Sequence, residues 1–336
     1  MPLDVLSNNY PLPLLSRDAL RSKASQLPEE FWRNRLLAQG YRVIIAGAPK
    51  VGKSDFFLEM AVRAASAGCL LGESFKRPLK VLYLQTEIQD GYLNERLSTF
   101  EKNCSVSEQE CIDKNFITTQ RCSLNIMQQK DWDKLHRTLE LMKPDIVAFD
   151  PIISFSDIDE NSSQEVAALL YSQLGQLQVS IKPSPCIILI HHLKKTTTRQ
   201  DKNLLFTGIR GSSAWQGWYD TAILLTRSNE GIHVYYETRN QYSPEAQLIV
   251  LNRSLGCWQV QSITPKTANE KIDFAFNVVR QSQSPIAITV LRDQLMESLG
   301  VARRTAYNII DGLRKDSRII IVTKGKQSIH LGISQE

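Results

Sequence analysis

The chain has 336 residues, 42% hydrophobic and 22% charged, with a net charge of +5 and a pI of about 8.8. That composition excludes disordered, collagen-like and disulfide-scaffold chains, and the length suggests two domains. Cys69, Cys104, Cys111, Cys122, Cys186 and Cys257 form no C-x-x-C pair, which argues against a zinc or redox site and for reduced intracellular thiols. No apolar run reaches the roughly 18 residues of a membrane span, and residues 1–10 lack a secretory signal pattern. A cytoplasmic protein without a membrane partner is expected.

Residues 1–40 read as a leader with one helical pattern, 16–27: either an arm onto a neighbouring subunit or a cover on its own domain. Over 41–265, strands and helices alternate. Apolar strand-like runs fall at 42–46, 80–85, 116–119, 145–150, 186–191 and 221–226. Helical patterns fall at 55–67, 92–100, 129–142 and 163–177. Near-continuous apolar strands between helices predict an α/β fold, a mostly parallel twisted sheet covered on both faces. The closely spaced runs 232–239, 247–251 and 257–262 predict antiparallel hairpins that extend it.

Residues 265–269 read as a linker, and 270–336 as a small α+β domain. Helices are expected at 270–281, 290–299 and 302–315, then strands at 319–323 and 328–331 around a basic tip. Helix–turn–helix followed by a basic hairpin is the winged-helix pattern. The last 36 residues carry seven Lys/Arg against three Asp/Glu, so most of the net charge sits there.

Residues Gly47, Ala48, Pro49, Lys50, Val51, Gly52, Lys53 and Ser54 spell G-x-x-x-x-G-K-S between the first strand and a helix opened by Asp55. That is a P-loop. Its glycines let successive N–H groups converge on a phosphate, and the helix start favours the same anion. Lys53 supplies a charge to the β- and γ-phosphates, and Ser54 a hydroxyl to Mg²⁺. ATP and Mg²⁺ are the expected ligands. Asp150 ends an apolar strand, where a carboxylate holds the Mg²⁺ water shell. Glu87 closes the strand after the P-loop helix, at the carboxyl ends of the strands where ligands sit. There it can orient and deprotonate a water. His191 and His192 end another buried strand, and either could bond the γ-phosphate. Adjacent strand residues point to opposite faces, so a metal held by both is not expected.

The P-loop, Glu87, Asp150 and the exit His191-His192-Leu193-Lys194 resemble the RecA-type ATPase core, most of all that of plasmid RepA-type hexameric replicative helicases. The resemblance covers residues 30–255, including Gly208–Trp215 followed by Asp220. It implies a RecA-like fold, a homo-oligomeric ring of the hexameric kind, an active site between its subunits, and a neighbour's arginine at the γ-phosphate. The family's K-x-R element falls on Glu237-Thr238-Arg239, so Arg239 matches the finger and Glu237 replaces the lysine. Arg227 is the other finger candidate. Such an arginine stabilises charge on the transferred phosphoryl group.

Lys194, Lys195, Arg199, Lys202 and Arg210 form a basic stretch with Thr196–Thr198. In RecA-like motors the segment after this strand grips single-stranded DNA, and phosphates can be tracked without reading sequence. Its alternative is a solvated loop over ATP. In the C-terminal domain Arg303, Arg304 and Tyr307, with Lys324 and Lys326 at the wing, could meet DNA; the same module can dock a protein. The leading expectation is an ATP-driven helicase on single-stranded DNA, with a replication initiator or primase as a possible partner. The alternative is an ATP-gated DNA-binding regulator or adaptor.

Overall fold

The computed structural model describes residues 16–23, 27–121, 123–193, 206, 209, 213–261, 268–282, 284–316, 319–324 and 328–333. Helix α1 (Arg17–Lys23) and a hairpin of β1 (Glu30–Trp32) and β2 (Leu37–Ala38) precede β3 (Arg42–Gly47) and helix α2 (Lys53–Ser66). A second small hairpin, β4 (Cys69–Leu70) and β5 (Glu73–Ser74), leads to β6 (Val81–Gln85), α3 (Asp90–Glu101), α4 (Val106–Asn115) and β7 (Phe116–Thr118). Next come α5 (Gln129–Met142), β8 (Ile146–Asp150), α6 (residues 163–180, π-helical over Ala168–Leu174) and β9 (Cys186–His192). Helix α7 (Ala214–Trp218), β10 (Thr221–Arg227), β11 (Ile232–Thr238), β12 (Gln247–Asn252) and β13 (Cys257–Gln261) complete this part.

Nine of these strands form one sheet among the described residues, in the order β13-β12-β11-β10-β3-β9-β8-β6-β7. Pairings from β7 to β10 are parallel, and those from β10 to β13 antiparallel. The fold is therefore mixed α/β around a mostly parallel sheet, as the apolar runs predict. Alternation along each strand supplies two cores. Val43, Ile45 and Tyr83 pack with Phe57 and Val62 of α2 and Phe100 of α3. Ile44, Val147 and Leu189 pack with Leu139 of α5, Leu170 of α6 and Trp218 of α7. The π turn in α6 has a partner, since the Trp218 indole N–H donates to the Leu170 carbonyl at 3.1 Å.

Two features escape the sequence reading. Residues 30–38, expected as part of a leader, are core: Trp32 is fully buried, stacks on Phe75 at 5.8 Å and donates its indole N–H to the Glu73 carbonyl. Arg33 in the same hairpin donates to Tyr236 and Gln247 across β11 and β12. Helix α4 was not expected, because among its residues only Ile112 is buried. Its start is nonetheless written in the chain as a capping box, in which Ser105 and Glu108 bond each other's backbone N–H.

The chain divides into two compact units, and the second spans residues 262–336. It comprises α8 (Ala268–Gln281), β14 (Ile286–Ala287), α9 (Ile288–Leu299), α10 (Arg303–Leu313), β15 (Ile319–Lys324) and β16 (Ser328–Ile333). Its antiparallel sheet runs β14-β16-β15. Phe276, Leu291, Leu295, Ile310, Leu313 and Leu331 build its own core. Among the described residues no helix is long and apolar enough to cross a membrane.

Trp32→Ala is expected to destabilise the first unit by about 3–5 kcal/mol, the usual cost of removing a large buried aromatic. Urea denaturation measures it. A loss below about 1 kcal/mol would mean that the hairpin is a dispensable cover.

Candidate nucleotide site

The pairing register brings the site together. Gly47, at the end of β3, is level with His192 of β9 on one side and Leu225 of β10 on the other. Gln85 of β6 is level with Asp150 of β8. The P-loop, His192, Asp150 and Glu87 thus leave the sheet at the carboxyl ends of its parallel strands, and the residues Lys50 to Asp55 line one open cleft with them, of about 680 Å³.

The loop's glycines answer local demands. A Cβ on Gly47 would lie 2.7 Å from Val51 Cγ1 and 2.8 Å from the Leu225 carbonyl oxygen, so strand and loop could not approach as they do. Gly52 has φ of 109°, a conformation that side chains disfavour, and it starts α2. That start directs the helix N-terminus, with its free N–H groups, into the cleft.

Lys53 is the central cation. Its Nζ donates to the carbonyls of Gly47 and Ala48, both at 3.0 Å, and lies 3.3 Å from His192 Nδ1. Burial pushes its pKa down, while the Asp150 and Glu87 carboxylates pull it up. Asp150 is also buried, and its Oδ2 accepts from the Tyr83 hydroxyl at 2.6 Å. Burial raises the Asp150 pKa; hydrogen bonds from Tyr83 and Ser54 oppose that rise. The Tyr83 phenol is itself held well above its usual range, first by burial and then by Asp150. Ser54 and Asp150 present adjacent oxygen donors, the ligand chemistry that suits Mg²⁺.

The remaining predicted residues separate. Glu87 is exposed on the cleft, close enough to act on both Lys53 and Asp150 electrostatically. His192 faces the cleft, whereas His191 is buried and stacks on Trp215 at 4.3 Å, as alternation requires. Arg227 donates to the Lys50 carbonyl at 3.2 Å, so it belongs to its own chain's P-loop. Arg239 lies at the other end of the sheet: its backbone N–H donates to Asp220, which in turn binds Arg42 at the start of β3. The five steps from Arg42 to Gly47 separate it from the P-loop by roughly 16 Å. Its guanidinium donates to the Gly217 carbonyl at 2.6 Å.

Lys194, Lys195, Arg199, Lys202, Arg210 and Lys326, together with the Lys324 side chain, lie outside the described residues. In α10, Arg303 and Arg304 are exposed, and Arg303 sits 5.9 Å from the Tyr307 ring, so these two share a face. Arg292 of α9 donates to the Tyr307 hydroxyl at 3.2 Å.

Sequence reasoning missed one wall of the cleft. Ile232, Ile249, Leu251 and Trp258 line it from β11, β12 and β13, opposite in character to the charged end. It also missed Arg96 of α3, which pairs with Asp55 at 3.2 Å. Only tertiary pairing brings these residues to the P-loop, and no motif marks them.

Residues 9–198 match the family described as AAA domain. Among solved structures, the chain is similar to a KaiC-like protein from the hyperthermophilic archaeon Pyrococcus horikoshii OT3, at 13% identity and a TM-score of 0.45, covering 67% of this chain and 91% of that one. It is also similar to the RadB recombinase, at 18% identity and a TM-score of 0.48, covering 67% and 92%. No curated protein matches.

Tyr83→Phe removes a hydrogen bond that favours ionised Asp150. The Asp150 pKa should rise, and the acid limb of magnesium–nucleotide binding should move to higher pH. Titrating affinity over the acidic range measures it; an unmoved limb would show that Asp150 does not govern binding.

Proposed function

The chain belongs to the AAA domain family, and on that premise we propose that this P-loop ATPase is an oligomeric motor on single-stranded DNA, a replicative helicase of a plasmid, phage or mobile element. One observation carries the reading: Lys53, Ser54, Asp150, Glu87 and His192 converge on a single cleft at the P-loop. That set provides phosphate binding, oxygen ligands, a base and a contact for the terminal phosphate.

The P-loop N–H groups and Lys53 hold the β- and γ-phosphates of ATP. Ser54 and Asp150 would hold Mg²⁺, which when bound neutralises charge on the phosphate oxygens. Glu87 orients a water and takes its proton as the water oxygen bonds to the γ-phosphorus and the bond to the β-phosphate oxygen breaks. His192, whose Nδ1 lies 3.3 Å from the Lys53 Nζ, bonds the terminal phosphate and loses that bond when the phosphate leaves.

A ring is supported by the position of Arg239. It is remote from its own P-loop, at the opposite end of the strands, so its route to a γ-phosphate is through a neighbouring copy. Arg227 then serves the P-loop of its own chain. The basic stretch from Lys194 follows the His192 strand directly in sequence, which would couple phosphate loss to a grip on DNA. For the C-terminal unit, helix, strand, two helices and a hairpin support a winged helix, with Arg303, Arg304 and Tyr307 offered to DNA or to a protein partner.

One residue favours a second reading, an ATP-gated DNA-binding regulator. Glu237 replaces the lysine of the finger element, and its carboxylate accepts from the Tyr219 hydroxyl at 3.1 Å. A regulator would turn over slowly and prefer a particular duplex; a motor would displace a strand.

Glu87→Gln is expected to keep ATP binding while lowering hydrolysis roughly 10²–10⁴-fold. Normal hydrolysis in a phosphate-release assay would assign the base elsewhere. Arg239→Ala mixed with wild-type protein should depress activity below the average of the two, because each site borrows from its neighbour. Strictly additive mixing would refute a finger in trans.

A further inference from the structure

The apolar wall of the cleft is fastened from beneath by buried charge. Glu59 and Arg63 lie on α2, within the helix that begins at the P-loop, and are only 1% and 8% exposed. The backbone N–H of Trp258 donates to Glu59 Oε2 at 2.7 Å. Arg63 Nε lies 3.5 Å from Glu59 Oε1, and the same guanidinium donates to the Gly256 carbonyl at 3.3 Å and to Cys104 Sγ at 3.2 Å. Burying charge this deeply is costly unless it is paired and hydrogen-bonded. Here every contact just named ends on the β12–β13 turn, on the start of β13, on the approach to α4 or on the pair itself.

The turn is also held from the residues that follow α3. Lys102 donates to the Arg253 carbonyl at 3.1 Å, and the Asn103 amide donates to that of Leu255 at 2.8 Å. Gly256 has φ of 57°, and a Cβ there would fall 1.8 Å from the Thr99 carbonyl oxygen, so turn and helix are in backbone contact. Trp258, two residues on, is thereby fixed over Gly52: the outer edge of its indole lies 3.6 Å from where a Gly52 Cβ would be. Ile232, Ile249 and Leu251 continue this apolar surface along the cleft.

A nucleoside triphosphate has a charged end and a flat, largely apolar end. The cleft carries both kinds of surface, the charged groups of Lys53 and Asp150 and the apolar wall of Ile232, Ile249, Leu251 and Trp258, the last packed over Gly52. We propose that Glu59 and Arg63 are positioning residues of the nucleotide site, holding Trp258 and the β12–β13 turn so that this wall packs against the nucleobase. The inference rests on the reading of the cleft as an ATP site. Neither residue touches the phosphates. Their effect therefore falls on the part of affinity that the base contributes, and inorganic triphosphate, which has no base, is blind to it. Burial pushes the Glu59 carboxyl up to about 7, with the Trp258 N–H and Arg63 opposing. A neutral amide in its place keeps an oxygen for the Trp258 N–H.

The test titrates the full chain with magnesium–ATP and, separately, with magnesium–triphosphate by calorimetry. Trp258→Ala should weaken ATP roughly 5- to 150-fold, the usual range for losing an aromatic contact to a base, and leave triphosphate affinity unchanged. Glu59→Ala and Arg63→Lys should shift ATP in the same direction with the same selectivity, and Glu59→Gln should retain most of the wild-type affinity. Thermal melting of each variant identifies any that is unfolded at the titration temperature. Trp258→Ala leaves no buried charge unpaired and decides the location of the base even if Glu59→Ala does not fold; Arg63→Lys then decides the role of the pair. Unchanged ATP affinity in Trp258→Ala, or parallel losses for both ligands in the Arg63 variant, overturns the proposal. Wild-type protein that binds neither ligand instead removes the ATP reading itself.

Discussion

The nucleotide site depends on one constraint, the register of the parallel strands. Gly47 faces His192 across β3 and β9, and Gln85 faces Asp150 across β6 and β8. A one-residue slip in any of these pairings would turn a functional side chain to the other face of the sheet. The register is fixed because both faces are buried: Val43 and Ile45 belong to one core, and Ile44 and Ala46 to the other. Packing and site geometry are therefore a single requirement on the same residues.

Charge inside the cleft follows from that arrangement. Lys53 and Asp150 are both largely withdrawn from water, which disfavours the ionised form of each. Each draws the other back toward ionisation, and the carbonyls of the loop and the Tyr83 and Ser54 hydroxyls add hydrogen bonds. Helix α2 joins this polar end to the rest of the unit. Most of its residues are buried, including Glu59 and Arg63, so it behaves as an internal strut rather than a surface helix.

Much of the fold is legible in the chain because its strong signals are local. The P-loop names itself by spacing, and the long apolar strands that end in Asp150 and in His191-His192 announce a sheet buried on both sides. The 129–142 helical pattern matches α5 residue for residue. What the chain hides is set at a distance. Trp32 reads as part of a leader until Phe75 and the Glu73 carbonyl are brought against it. Trp258 reads as one aromatic on an edge strand until β13 is held over Gly52. In sequence only the K-x-R match sets Arg239 apart from Arg227; their separation to opposite ends of β10 and β11 needs the antiparallel pairing of those strands. Helix α4 is hidden for a different reason: its boundary signal is polar, and it has little apolar periodicity to support it.

ATP turnover coupled to DNA is the central claim, and the most direct measurement is the steady-state ATPase rate of the purified chain across a titration of oligo-dT. A motor gives a rate that climbs strongly and saturates as strands fill the oligomer. Measurable turnover that stays level through the titration contradicts a motor and leaves a nucleotide-gated binder in its place.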